Sequence, residues 1–135
     1  MTVDNQEQQH AETQRQMELQ QRQTEALIRL MLAARYVDKK LSLSENDAFQ
    51  RTIEELTWTR ITSLEGFINQ SMYQVRNAML NETSKQQLLE EECGHLARMD
   101  DKRSALRKIE SVLQMNSLDP TESEFLEQVR TLMGL

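Results

Sequence analysis

A chain of 135 residues, 38% hydrophobic and 28% charged, is one domain's worth and long enough to bury a core without staples. Three glycines, one proline and 4% aromatic residues leave few helix breakers and few strand formers, which argues for helices throughout and against a sheet. The formal charge of −6, from 22 acids against 16 bases, argues against nucleic acid as a partner, because phosphate binding needs a surplus of Lys and Arg on one face.

The single cysteine, Cys93, excludes an internal disulfide and fits a reducing compartment. Residues Met1 to Gln9 are polar, so no signal peptide is expected. The longest apolar-rich run, Ala26 to Val37, contains Arg29 and Arg35 and is too short to span a bilayer. The expected location is cytoplasmic, with no membrane insertion and peripheral association left open.

In chain order, residues 1–24 form an arm in which eight residues are Gln and apolar side chains are sparse. Such composition cannot order itself alone. A frayed, flexible terminus is the favoured reading, with an extension of the first helix as the alternative. From about Thr24, Leu27, Leu30, Met31, Ala34 and Val37 make one stripe that Ile28 and Leu32 widen, which predicts a central helix buried on most sides. After an interruption over 36–43, Ser44-Glu45-Asn46-Asp47 approximates a capping box for a second helix. That helix carries Phe49, Ile53 and Leu56, with Trp58 and Ile61 near its end.

Thr62 or Ser63 caps a third helix through Phe67, Ile68, Met72, Val75 and Met79, ending near Asn81. Ser84 with Gln87 predicts the cap of a fourth, through Leu88, Leu89, Cys93, Leu96 and Met99. Asp100 or Asp101 caps a fifth through Leu106, Ile109, Val112 and Leu113. Asp119-Pro120-Thr121-Glu122 starts the last, which carries Phe125, Leu126, Val129 and Leu132 and stops at Gly134. The expected fold is all-α, a compact bundle of about six helices over residues 25–135. Leu41–Asp47 echoes Leu118–Glu124, so two similar helical halves are an alternative description; capping chemistry alone accounts for the same match.

The run Asp38-Lys39-Lys40-Leu41-Ser42-Leu43-Ser44-Glu45, preceded by Leu30-Met31-Leu32-Ala33-Ala34, resembles the tellurite-resistance TerB-like family. That family's first helix ends in alanines and leads into Asp-Gly-x-Leu-Ser-x-x-Glu. Leu118-Asp119-Pro120-Thr121-Glu122, Phe125-Leu126 and the ending Leu132-Met133-Gly134-Leu135 also look like its last helix. The resemblance covers residues 25 to 135 as pattern rather than long identity. It implies an all-helical bundle of two similar halves, a connection with tellurite and chemical stress, and divalent-metal binding by acidic loop residues. Asp38 and Glu45 occupy the motif's acidic positions. Lys39 replaces the preferred Gly, and Met115 stands where a second Asp would be.

The candidate metal ligands are Asp38, Glu45 and Asp47, whose oxygens suit Ca²⁺, Mg²⁺ or Mn²⁺. The competing reading is favoured: Glu45 and Asp47 complement a helix N-terminus, and Asp38 pairs with Lys39 or Lys40. Cys93 and His95 are two apart on a helix and cannot share a metal; Cys93 lies on the apolar face, and His95 is placed to pair with Glu91. No catalytic triad, phosphate loop or dinucleotide fingerprint occurs, so an enzyme is not expected.

Arg98, Lys102, Arg103, Arg107 and Lys108 form a basic cluster near the acidic run Glu90-Glu91-Glu92. They are the candidate partner-binding residues, against the ordinary alternative of a solvated face laced with weak pairs. Two functions remain. The favoured one is a non-catalytic helical interaction module in a stress-response or envelope-associated assembly, binding a protein partner or itself. The alternative is a divalent-metal-binding tellurite- or stress-resistance protein.

Overall fold

A computed structural model describes residues 2–37, 43–56, 58, 63–113 and 120–135, with the side chains of 2–7 and 43–48 left outside the description. Within them the chain forms six helices and no strand: α1 (Thr2–Val37), α2 (Leu43–Glu54), α3 (Leu64–Ala78), α4 (Glu82–Leu96), α5 (Lys102–Leu113) and α6 (Pro120–Met133). The all-α bundle expected from composition is the observed architecture.

Helix α1 is the axis. Ala26, Ile28, Leu30, Met31, Ala33 and Ala34 are fully buried, and Leu27, Leu32 and Val37 nearly so. These residues cover most of the helix surface, leaving a strip through Glu25, Arg29 and Tyr36, and α3, α4, α5 and α6 pack around it. Helix α2 lies on α5, and α4 lies on α6, so the outer helices also brace one another. Phe49, Val75, Leu89, Leu96, Ile109, Val112, Phe125 and Val129 complete the core from the surrounding helices.

The arm follows the helix-extension alternative. At 36 residues α1 spans about 54 Å, and its first part runs straight on from the buried part. Residues 8–20 are exposed on every side. One local bond there is Thr13 Oγ1 donating to the Gln9 carbonyl at 2.8 Å.

Several helix ends are set by side-chain caps. Ser63, in extended conformation, accepts the Gly66 amide on its Oγ at 3.0 Å, fixing the start of α3. For α4 the cap is Asn81, not Ser84: Asn81 Oδ1 accepts the Ser84 amide at 2.9 Å, while Ser84 Oγ donates back to the Ala78 carbonyl at 2.6 Å. Asn81 thus starts α4, while Ser84 Oγ ties that start back to the last turn of α3 across a three-residue connection. Asp101 Oδ1 accepts the Ser104 amide at 3.2 Å and caps α5.

At the other end, Gly134 has φ 76°, and its amide and that of Leu135 bond Thr131 and Arg130 carbonyls at 3.1 and 2.9 Å. That is a Schellman closure, for which glycine alone has no side-chain strain. Lys102 Nζ donates to the Met133 carbonyl at 3.1 Å and places a cation on the negative end of α6.

Several expected boundaries differ: α1 runs through Tyr36 to Val37, and α2 begins at Leu43, ahead of the expected Ser44 cap. Helix α2 ends at Glu54, so Leu56 and Trp58 lie beyond it, with Trp58 half-buried against α3 rather than on the helix. Met99 likewise follows the end of α4. Much of the echo between Leu41–Asp47 and Leu118–Glu124 lies outside the described residues.

Replacing Asn81 with Ala is expected to cost about 1 kcal/mol, seen as a lower urea midpoint at unchanged slope. Thr83→Ala, one exposed position into the same turn, should stay within about 0.5 kcal/mol of the parent protein.

Candidate functional site

A helix apolar on most sides has little room for a charge, yet α1 carries Arg29 between Ile28 and Leu30. The guanidinium is held by two neighbouring elements. Its NH1 group donates to Glu92 Oε1 of α4 at 3.1 Å. Its Cζ lies 5.3 Å from the ring centroid of Phe67 in α3, within cation–π range. Trp58 then packs on Phe67, ring centroids 5.0 Å apart and tilted by 44°. Four segments thus converge on one cation.

The two partners are unequally buried. The Glu92 side chain is 4% exposed and that of Arg29 28%. Arg29 Nε and Glu92 Oε2 have no hydrogen-bond partner, nor does the buried Ser71 Oγ, one turn after Phe67 on α3. Burial pushes the Glu92 carboxyl above its ordinary value; Arg29 pulls the other way by charge and hydrogen bond, and His95 adds a smaller pull. Next to it, burial pushes the Cys93 thiol up to about 12, with Glu92 adding to the rise. Cys93 is a protonated, inert part of the core, as its place on the apolar face implies.

A second arginine of α1 follows the same principle: Arg35 Cζ lies 4.8 Å from the centroid of Phe49 in α2. Both rings are supplied by helices that pack next to the arginine-bearing turns.

The expected metal ligands fall outside the described side chains. Asp38 lies outside the described residues; Glu45 and Asp47 belong to α2, but their side chains lie outside the description too. Among the described residues no three His, Cys, Asp or Glu side chains cluster as a metal site. Nor does a bond join His95 to Glu91 there; the charge of His95 acts on Glu92 instead.

The basic cluster divides. Arg98, Arg103 and Arg107 are exposed, Lys108 is half-buried, and Lys102 is engaged with the end of α6. In the acidic run Glu90 and Glu91 are exposed while Glu92 is buried. The structure also exposes apolar side chains: Met72, Tyr73 and Leu80 on and after α3, and Met17 and Leu19 on the arm. No described helix is long and apolar enough to cross a membrane.

The Arg29–Glu92 centre was hidden in sequence because Glu92 looked like a member of the acidic surface run and Arg29 was noted only as a charge interrupting an apolar run. Its signal was positional: Glu92 falls on the stripe of Leu89 and Leu96, and Arg29 falls inside that apolar run.

Compared with known proteins, the chain matches no family model, no curated protein and no solved structure.

At pH 7, Arg29→Ala should destabilise towards the lower end of roughly 3–5 kcal/mol, because solvent reaches the arginine but not the stranded carboxylate. The folded protein holds the Glu92 proton more tightly than the unfolded chain, so this group favours folding most below its ordinary value of 4.5. That contribution is lost as pH rises through the elevated folded value. The Arg29→Ala deficit should therefore shrink on going from pH 7 to pH 5, and Arg29→Met with Glu92→Met should recover most of it. Thermal unfolding across this range checks both; a pH-independent deficit contradicts the assignment.

Proposed function

We propose that this chain is a non-catalytic helical interaction module whose projecting α1 arm is a contact surface for a protein partner. The observation that carries this reading is the solvation of residues 8–20: they are helical and exposed all round, yet continuous with the most deeply buried segment of the molecule. A helix polar on every side gains little from its own packing, and an isolated one of this length is marginal in water. Rooted in the core, it becomes a rigid rod that offers side chains at fixed spacing without the ordering cost of a flexible tail.

Met17 and Leu19, half exposed, supply apolar anchors among glutamines that can donate and accept hydrogen bonds. Met72, Tyr73 and Leu80 give the body an apolar surface of its own, with the tyrosine nearly three-quarters exposed at 72%. A stress-response or envelope-associated setting is the part of the proposal that rests on the TerB-like resemblance alone. The contact reading rests on the surfaces and stands without it.

The test is site-specific photo-cross-linking in the native host, with the reactive side chain at position 17 and, as control, at exposed Ser111 of α5. A discrete adduct from position 17, either the chain doubled or the chain plus one other protein, is expected. No adduct from position 17 above the control would contradict the reading.

A further inference from the structure

Helix α5 takes its anion from the Asp101 cap and then opens with two bases. Its first turn holds no acid and starts with Lys102 and Arg103, although the N-terminal end of a helix favours anions. Arg103 also lies one turn from Arg107, a like-charged pair at the spacing where repulsion destabilises a helix. Lys102 is compensated by the Met133 carbonyl. Arg103 and Arg107 are not: both are exposed, and among the described residues neither they nor Arg98, exposed in the turn leading into α5, meets a carboxylate within ion-pair distance. The next acid along the helix, Glu110, is turned to Arg130 of α6 at 3.4 Å.

The concentration is local. Residues 98–108 hold five bases and two acids, one of which, Asp101, is spent capping the helix; in the rest of the chain acids outnumber bases by 20 to 11. Uncompensated violations of local preference belong where a surface is used.

We propose that the Arg103–Arg107 face of α5, with Arg98 at its approach, binds an acidic protein segment presenting two carboxylates about one helical turn apart. This rests on the interaction-module reading and names the chemistry of a partner. Guanidinium groups meet carboxylates in planar, two-bonded geometry, and a pair spaced by one turn reads two of them in register. The backbone amides at the start of α5 are not the receptor, since Asp101 occupies that position. A long polyanion fits poorly: Arg103 and Arg107 span about one turn, and the chain as a whole carries a net charge of −6. Salt dependence and fast association follow from recognition by exposed charge.

The experiment is a fluorescence-anisotropy titration of the full chain with a helical peptide bearing Glu at i and i+4 on a neutral dye. The same peptide with Gln for Glu serves as control. Saturable binding of the Glu peptide is expected, weakened by salt and by about two- to thirtyfold in R103Q/R107Q, the scale two exposed charge pairs supply. Circular dichroism should show that variant to be as stable as the parent or slightly more so, since it relieves a repulsion. Unaltered binding in R103Q/R107Q, equal binding of the Gln peptide, or absence of binding overturns the inference. So does tighter capture of duplex DNA or anionic vesicles than of the Glu peptide, or self-association that R103Q/R107Q abolishes. A position-17 adduct that persists in R103Q/R107Q alongside a failed titration removes the α5 assignment and leaves the arm reading intact.

Discussion

The structure depends on one constraint, the burial of the apolar residues of α1 between Ala26 and Val37, which leaves the strip of Arg29 and Tyr36 open to solvent. Alanines at 26, 33 and 34 let neighbouring helices approach closely, while Leu27, Ile28, Leu30 and Met31 fill the spaces between them. Once four helices surround one, a charge on the central helix must be answered from outside it. Arg29 fixes a carboxylate on α4 and an aromatic face on α3; Arg35 fixes another aromatic face on α2. Arg29 thereby ties α1 to α3 and α4, at the cost of desolvating Glu92.

The same helix then leaves the core without interruption. Starting a helix is the unfavourable step and extending it is not, so a segment already held by packing can propagate through a polar sequence that would be marginal alone. Glutamine, glutamate and arginine are good formers, and Glu18 and Arg22 stand four apart in the favourable order. One element therefore has two roles, a buried post and an exposed rod. At the opposite extreme of charge, α5 keeps an apolar face of Ala105, Leu106, Ile109, Val112 and Leu113 on the core and turns arginines to solvent. Both projecting features are positioned by packing rather than by loops.

Sequence periodicity reached the helix count, the central place of the Leu27–Val37 stripe and the role of Gly134, and it narrowed two caps to Thr62 or Ser63 and Asp100 or Asp101, of which the fold shows Ser63 and Asp101, because each depends on residues close in the chain. It assigned the α4 cap to Ser84 because a hydroxyl followed by Gln87 fits the motif; Asn81, three residues earlier, wins by bonding Ser84 itself. It placed Trp58 on α2, whereas the residue serves α3 through Phe67. The Arg29–Glu92 pair spans 63 positions in the chain, and no local rule joins them. The basic cluster was legible as composition, but only the fold separates Lys102, used to close α6, from Arg103 and Arg107, left facing water.

Amide hydrogen exchange along α1 tests the central claim most directly, since it reads the buried and projecting parts of one continuous helix in a single experiment. Residues 26–37 should exchange only on global unfolding, while 8–20 should exchange by local fraying, orders of magnitude faster, with the boundary near the buried Gln21. Uniform protection along α1 would mean that the arm is packed against something within the molecule. Rapid exchange at 26–37 would mean that α1 is not the axis of the core.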